Sequence, residues 1–382
     1  MDAADIRELT AALVRADSRL PREELAARVV IDWLRGQGFE PEVTEVAPGR
    51  PNVTMRAAPG PRPELVTLTG HLDTVDVAEG WDSDPFDPVE RGGRLHGLGA
   101  LDMKSGLACA LVAFRRLATD PGLAPRLGAV GFAATVDEEA FGSGARALLR
   151  TPFGRSAFMV LAEPFHGASA EDPVPVVMPG KILYRIEVQG RTSHALNHPE
   201  RGINAVDDAA RIVGALERLP LGRHPVLGPM NYATLKIDGG YREYAVVVPE
   251  RCEIVVTRLL APGETRTGAL GELRALIDGL GLASRVVVEA APPSYDPFEM
   301  AADHPGMAAF RRAFERHRGR APVLGGLLGI TDGNIYRGEG GSPTLIFGPA
   351  GRGLHERNEY VEIESLAPTA AIMVDTVAGF WD

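Results

Sequence analysis

ELVTLTGHLD, residues 64–73, is a short apolar run that ends in His71 and Asp73. The apolar part is typical of a β-strand, and residues two apart in an extended segment point to the same side. Asp73 is therefore placed to hold the imidazole of His71 through its second ring nitrogen, as carboxylates do for metal-bound histidines. Taken alone, this His-x-Asp pattern is more typical of a surface turn.

Similar apolar runs recur on both sides of this segment and alternate with helical patterns. The helix-like residues are 2–16, 22–36 and 104–117, and the strand-like residues are 64–69, 127–135 and 156–162. The second run ends in the acidic triplet Asp137-Glu138-Glu139, and the third ends in Glu163. This alternation predicts an α/β sheet with parallel strands.

The pattern changes near Pro179. Strand-like residues 182–188, 233–237, 246–256 and 284–289 and helix-like residues 204–219 and 264–280 follow in the order β-α-β-β-α-β. This is the order of a ferredoxin-like unit. The α/β pattern then resumes with residues 304–317, 343–347 and 364–379. We therefore predict a main domain in two parts, residues 1–178 and 294–382, with a second domain inserted at residues 179–293.

Five polar sites follow predicted strands or occupy glycine-rich turns, and open α/β sheets bind ligands beyond the carboxyl ends of their strands. Besides His71 with Asp73, these sites are Asp102 in the glycine-rich segment 97–106, Glu138 with Glu139, Glu163, and His355. Each has an ordinary alternative, such as a helix N-cap for Asp102 or a solvated turn for the acidic triplet. The three consecutive carboxylates repel one another, and a bound divalent metal would remove that conflict.

Composition limits the kind of metal site. The chain has only two cysteines, which are too few for a disulfide framework or a thiolate zinc site. A metal must therefore be held by His, Asp and Glu side chains. Such mixed nitrogen and oxygen ligands suit zinc, cobalt or manganese.

Charge and hydropathy limit the partners. The net charge of −11, without any basic run, argues against nucleic acid or an anionic membrane as the main partner. No apolar stretch approaches the roughly 18 residues that span a bilayer. The acidic N-terminus differs from the basic start of a secretory signal, so we predict a cytoplasmic location.

Together, in order and spacing, the five motifs resemble the family of acetylornithine deacetylase, succinyl-diaminopimelate desuccinylase, aminoacylase and glutamate carboxypeptidase. The resemblance covers nearly the whole chain. It implies an α/β, zinc-peptidase-like catalytic domain with a mixed, largely parallel sheet, and an inserted ferredoxin-like dimerisation or lid domain. It also implies two divalent metal ions per chain, with zinc as the first candidate and cobalt or manganese as alternatives.

The resemblance also implies roles for the candidate residues. The implied metal ligands are His71 and Glu163 for one ion, Glu139 and His355 for the other, and Asp102 between both. Glu138 would be the general base that takes a proton from a metal-bridging water and passes it to the leaving amine. Asp73 would orient His71.

The inserted domain resembles the family's dimerisation domain around His194, which lies in the segment RTSHA at residues 191–195. In the family, the matching His reaches the neighbouring subunit's active site and binds the oxyanion. The resemblance therefore implies a homodimer in which His194 acts in the partner's site. The ordinary alternative is a capping or surface His before a helix.

Substrate contacts are the least constrained part of the resemblance. Arg258 matches a family Arg that often binds a substrate carboxylate, and Thr331 and Asn334 match a substrate-side loop. Three positions depart from the pattern, because the family often has Arg where Leu98 stands, Gly where Ser105 stands and Asn where Val246 stands. The spacer between Gly240 and Pro249 is also longer than in the family.

The leading hypothesis is hydrolysis of the amide bond in a small N-acyl amino acid, as in a deacetylase or desuccinylase. The alternative is a dipeptidase or exo-carboxypeptidase with the same chemistry and a different pocket. A catalytically inactive relative that binds a metabolite ranks lower, because Glu138 and all the implied ligands are present. The acyl group, the amino acid, the physiological metal and the pathway stay open.

Overall fold

The computed structural model describes residues 3–164, 173–241, 243 and 246–382. The chain forms two compact units. The first comprises Met1–Val176, Glu299–Gly326 and Thr331–Asp382, and the second comprises Val177–Phe298 and Leu327–Ile330. The boundaries predicted from sequence, at residues 179 and 293, lie near these limits, but the prediction places the short segment Leu327–Ile330 in the main domain.

The first part of the chain alternates between helices and strands. Its elements are α1 (Ala3–Arg15), α2 (Glu24–Gly36), β1 (Glu42–Ala47), β2 (Arg50–Ala57), β3 (Leu65–His71), β4 (Val89–Arg91), β5 (Arg94–His96), α3 (Ser105–Thr119), β6 (Ala129–Thr135), α4 (Ser143–Leu148) and β7 (Phe158–Leu161). The predicted helices and strands of this region are therefore present, with ends displaced by a few residues.

The remaining elements follow in two groups. Residues 173–298 form β8 (Val174–Met178), β9 (Gly180–Gln189), α5 (Ala205–Ala215), β10 (Arg223–His224), β11 (Gly228–Pro229), β12 (Tyr232–Gly239), β13 (Arg251–Leu260), α6 (Arg266–Asp278) and β14 (Arg285–Tyr295). They are followed by β15 (Phe298–Glu299), α7 (Pro305–Arg318), β16 (Leu324–Gly326), β17 (Thr344–Ile346), β18 (Gly351–Arg352), β19 (Tyr360–Glu362) and α8 (Ile363–Ala378).

The first unit is built on a six-stranded sheet with the strand order β1-β2-β6-β3-β7-β17. Strand β3 pairs parallel to both β6 and β7, and β17 pairs parallel to β7. Strand β2 pairs antiparallel to both β1 and β6. The expected mixed, largely parallel sheet is therefore confirmed. Because β3, β6 and β7 run in one direction, the residues that follow them meet at one edge of the sheet.

A smaller antiparallel sheet in the same unit has the order β18-β19-β5-β4. In it Tyr360 of β19 pairs with His96 of β5. This register brings the segment after His355 alongside the glycine-rich segment that begins at Gly97. Two motifs that are far apart in the sequence thus become neighbours.

The second unit has a four-stranded antiparallel sheet with the order β12-β13-β9-β14, the arrangement of a ferredoxin-like unit. Alternate residues of β9 are fully buried, among them Ile182, Tyr184 and Ile186, and they form one core with α5 and α6. The strand predicted at residues 246–256 is displaced, since β13 begins at Arg251 and ends at Leu260. Pro249 has no N–H to donate to a ladder, which disfavours a strand that runs through this position.

One stretch, Ile363–Trp381, has the length and the apolar composition of a membrane span, so the expectation that no apolar stretch is long enough was wrong. Just over half of its most apolar window, 56%, is buried inside the protein. Its helix α8 packs against α3 and α7. The core helix of a globular unit passes the same test, so this stretch is weak evidence for a membrane.

Candidate metal centre

His71 and Glu163 lie at the same edge of the six-stranded sheet. His71 is the last residue of β3, and Glu163 follows the end of β7. Nε2 of His71 is 3.7 Å from Oε1 of Glu163, and both side chains are almost completely buried. The parallel pairing of β3 with β7 therefore brings together two residues that are 92 positions apart in the sequence.

The carboxylate of Asp102 lies between two imidazoles. Its Oδ1 is 3.3 Å from Nε2 of His71, and its Oδ2 is 3.1 Å from Nε2 of His355. Nε2 of His355 is also 3.1 Å from Oε2 of Glu139. Each imidazole thus shares Asp102 with the other and has a second carboxylate of its own, Glu163 or Glu139.

Glu138 belongs to the same cluster. Two overlapping groups have ligand atoms within 4.8 Å of one another: His71, Glu138 and Glu163, and His71, Asp102 and Glu139. The implied roles set Glu138 apart from the metal ligands, yet its carboxylate is as close to His71 and Glu163 as a ligand would be. All seven residues that the resemblance places at the metal centre lie in the first unit.

Three glutamate carboxylates of this cluster resist ionisation. Burial raises the pKa of Glu138 and of Glu163 well above the ordinary value, and the negative charges of Glu163 and Asp102, respectively, add to the effect. Burial also raises the pKa of Glu139. The cause is the confinement of several like charges away from water.

The imidazoles, in contrast, favour their charged form. Burial opposes the charged form of His71, but the charge of Glu163 and the hydrogen bond to Asp102 outweigh it and raise its pKa well above 6.5. Hydrogen bonds to Asp102 and Glu139 raise the pKa of His355 to about 10. Positive charge is therefore strongly favoured throughout the cluster, and imidazole and carboxylate donors are the ligands that divalent zinc, cobalt and manganese accept.

Asp73 holds two neighbours in place. Its Oδ2 accepts a hydrogen bond of 2.9 Å from the backbone N–H of Glu139. Nδ1 of His71 is 3.0 Å from the backbone carbonyl oxygen of Asp73 and 3.6 Å from its carboxylate Oδ1. The orientation of His71 therefore depends on the backbone of Asp73 more directly than on its side chain, which instead positions the turn that carries Glu139.

Two anchors of the site were not identified from sequence. The carboxylate of Glu359 accepts hydrogen bonds from the loop that carries Asp102. The guanidinium of Arg50 donates to Asp137, directly before Glu138. Both anchors are single charged residues on distant segments, and their only sequence signal is a charge at a strand end.

The predicted substrate-side residues Thr331 and Asn334 form a closed turn in the first unit. Oδ1 of Asn334 accepts a hydrogen bond of 3.1 Å from the backbone N–H of Thr331, and both residues are buried. Between them, Oδ2 of Asp332 accepts a hydrogen bond from Thr135, and burial raises the pKa of Asp332 to about 7. Substrate binding by this turn stays a prediction.

The other two predicted residues lie in the second unit. Arg258 is fully buried, and its guanidinium pairs with Glu264 at 2.6 Å and with Glu272 at 2.7 Å. Binding of a substrate carboxylate by Arg258 stays a prediction, and it would require these ion pairs to open. His194 is exposed, and its Nδ1 accepts a hydrogen bond of 3.2 Å from the backbone N–H of Leu196.

Two of the departures from the family pattern differ in exposure. The Leu98 side chain is buried, with 2% of its surface accessible, whereas Val246 is 40% exposed. Part of the unusual spacer before Pro249, namely residues 242, 244 and 245, lies outside the described residues.

Comparison with known proteins identifies a family whose profile spans these residues. The sequence profile of peptidase family M20/M25/M40 matches residues 67–379, which include the whole cluster. The chain belongs to this family. The expected resemblance is thereby confirmed, and so is the expected activity, metal-dependent hydrolysis of amide bonds.

Individual relatives cover almost the full chain. A succinyl-diaminopimelate desuccinylase from Methylobacterium is 29% identical over 376 residues, which are 95% of this chain and 93% of the relative. Among solved structures, aminopeptidase PepT from Bacillus cereus has a TM-score of 0.80 at 22% identity and full coverage of both chains. A dinuclear metal binding peptidase from Bacillus subtilis has a TM-score of 0.72 at 16% identity, covering 98% of this chain and 97% of the other.

Proposed function

We propose that this chain hydrolyses the amide bond of a small N-acyl amino acid, with a succinyl group as the first candidate for the acyl part. The observation that carries the proposal is the position of Asp102 between His71 and His355, each with a further carboxylate. The similarity to a desuccinylase over 95% of the chain supports the choice of substrate class.

We assign five side chains to two divalent cations. These ligands are His71 and Glu163 for one cation, Glu139 and His355 for the other, and Asp102 for both. When bound, the cations would polarise the scissile carbonyl and lower the pKa of water in the site. Zinc is the first candidate, with cobalt or manganese as alternatives, because the donors are imidazole nitrogens and carboxylate oxygens.

Glu138 lies beside these ligands and is the general base of the proposal. Its carboxylate takes a proton from the water that attacks the amide carbon, and the resulting carboxylic acid gives this proton to the amide nitrogen. The nitrogen then departs as an amine rather than as its far less stable anion. Asp73 supports both ends of the site through His71 and the backbone N–H of Glu139.

Dipeptides and tripeptides are the competing substrates, since their peptide bonds require the same chemistry. The test is a hydrolysis screen of metal-free protein reloaded with zinc, cobalt or manganese. N-succinyl-diaminopimelate, N-acetylornithine and unblocked di- and tripeptides are compared by the release of primary amine. The proposal expects the highest kcat/KM for an N-acyl amino acid. Cleavage of peptides alone would favour the peptidase, and no cleavage by any metal-loaded form would favour an inactive relative.

We further propose that the protein is a homodimer through its second unit and that it works in the cytoplasm. Strand β12 is an edge of the four-stranded sheet and has exposed apolar side chains, including Leu235 at 60% and Ile237 at 52%. Exposed edges of this kind favour pairing with another chain. In such a dimer His194, which is exposed, would donate a hydrogen bond to the oxyanion in the partner's site.

Subunit complementation tests the role of His194. Chains with His194→Ala are mixed with chains carrying Glu138→Gln and allowed to exchange. In a mixed dimer one site carries both lesions and the other carries neither, so activity should rise from near zero toward about a quarter of wild type at equal mixing, because half of the dimers are mixed. Demonstrated exchange without any recovery would show that His194 does not act in the partner's site.

A further inference from the structure

Glu359 is a buried residue whose carboxylate accepts hydrogen bonds from the backbone of a neighbouring loop. Its Oε2 accepts a hydrogen bond of 2.8 Å from the N–H of Gly99. Its Oε1 accepts two more, each of 2.8 Å, from the N–H groups of Leu101 and Asp102. The residue is 2% exposed, so water does not compete for these donors.

The fold delivers Glu359 to this loop by strand pairing. Glu359 directly precedes β19, which pairs with β5, and the N–H of Gly97 donates to the backbone carbonyl of Glu359 at 3.1 Å. Four residues before Glu359 in the same segment stands His355, whose imidazole faces Asp102. One segment therefore supplies a proposed metal ligand and also holds the loop of the ligand that both cations share.

The loop is also closely packed at Gly99. A Cβ atom at Gly99, which has a φ of 74°, would lie 2.5 Å from Cγ2 of Thr74 and 3.1 Å from Cδ of Lys104. The buried ammonium of Lys104 donates to the backbone carbonyl of Ala16 at 2.9 Å. Close packing at Gly99 and the carboxylate of Glu359 thus both restrict the loop.

We infer that Glu359 is a positioning residue that fixes the carboxylate of Asp102 between the two proposed cations. The inference rests on the proposed function. The N–H of Asp102 is itself one of the three donors, so the hydrogen bond to Glu359 restricts the backbone from which the Asp102 side chain extends. An amide at position 359 cannot replace the carboxylate, because its NH₂ group would face at least one N–H donor.

The first test uses metal-free protein and needs no activity. Hydrogen exchange, resolved to single amides, should show protected N–H groups at Gly99, Leu101 and Asp102 in the wild type. Glu359→Gln should increase the exchange at these amides, whereas the control Glu362→Gln should not. The control removes a carboxylate from the end of β19, three residues after Glu359, where Oε1 of Glu362 lies 3.2 Å from Nε of Arg94 at the surface.

The second test is cobalt binding. The affinity is measured by titration, and the geometry of the site is monitored through the visible absorption of bound Co²⁺. Outer partners of metal ligands typically contribute about 10–100-fold to metal affinity. Glu359→Gln should therefore weaken cobalt binding by roughly 10–100-fold and change the absorption spectrum, while Glu362→Gln should match the wild type. A merely structural role would lower thermal stability without altering the spectrum of the cobalt that is bound.

The outcomes separate the two claims. If the wild type does not bind two cobalt ions, the proposed function fails. If the wild type binds two and folded Glu359→Gln binds them with the same affinity and spectrum, the inference about Glu359 is wrong and the proposed function stands. If Glu359→Gln does not fold, exchange in the wild type decides: protected amides at Gly99, Leu101 and Asp102 support the inference, and rapid exchange at all three overturns it.

Discussion

The guanidinium of Arg50 donates a hydrogen bond of 2.7 Å from Nη2 to Oδ1 of Asp137, the residue directly before the acidic pair at the candidate metal centre. The same guanidinium pairs with Glu23, whose side chain is fully buried. Arg50 therefore compensates two buried carboxylates at once, and it links the start of β2 to the turn that carries Glu138.

This relationship predicts a large loss of stability in Arg50→Met. Removing one partner of a buried ion pair leaves an uncompensated charge and typically costs about 3–5 kcal/mol. Urea denaturation of the metal-free protein should show a loss of that size. The matched control is Arg56→Met on the same strand, where the side chain is exposed, and its effect should stay within about 0.5 kcal/mol. Equal effects of both changes would contradict the importance of the pair.

A second prediction concerns acid stability. The hydrogen bond from Arg19 lowers the pKa of Asp17 from 3.8 to about 2 in the folded protein. A carboxyl group whose pKa is lower in the folded state stabilises the fold above its unfolded value and loses this effect as the pH falls through the folded value. Asp17→Asn should therefore lower the Tm at pH 6, and the difference from wild type should shrink between about pH 4 and pH 2.

The control for this measurement is Asp76→Asn. Asp76 is 91% exposed and lies 3.7 Å from Arg19, so its exposed ion pair should contribute little at any pH. A Tm difference for Asp17→Asn that stays constant from pH 6 to pH 2 would show that the charge of Asp17 is not what stabilises the fold.

A third prediction separates catalysis from metal binding. Glu138→Gln should retain its bound metal but lose turnover, because the amide cannot take a proton from water. General-base catalysis typically contributes about 10²–10⁴-fold to the rate. Metal content and kcat should be measured on the same sample. A metal-loaded Glu138→Gln protein with nearly normal kcat would mean that another group takes the proton.

A fourth prediction addresses the dimer. Lysine at both Leu235 and Ile237 places two charges on the exposed edge strand β12, and charged edges oppose strand pairing. Light scattering should show the mass of a dimer for the wild type and of a monomer for the double variant. Val226→Lys is the control, because Val226 is 57% exposed in the same unit but outside β12. A double variant that remains dimeric would place the interface elsewhere.

The sequence predicted the part of the site that follows from strand direction. His71 and Glu163 end two runs that read as parallel strands, and the carboxyl ends of parallel strands share one edge. The proximity of His71 to Glu163 could therefore be predicted without the structure. The division of the ligands into two groups came instead from the family resemblance.

The backbone contacts of Glu359 and Asp73 could not be predicted in the same way. Glu359 binds N–H groups that lie 257–260 residues earlier in the chain, and every residue except proline has such a group. Nothing in the residue types of Gly99 and Leu101 marks them as partners of Glu359. Likewise, the pattern at Asp73 suggested its carboxylate as the partner of His71, whereas its backbone carbonyl is closer.

A centre of two divalent cations that hydrolyses an amide bond can be tested by titrating metal-free protein with zinc or cobalt while following the hydrolysis of an N-acyl amino acid. Turnover should be negligible without metal, and bound metal should reach two ions per chain as the activity reaches its plateau. Full turnover in the presence of a strong chelator, with no metal detected by elemental analysis, would contradict it.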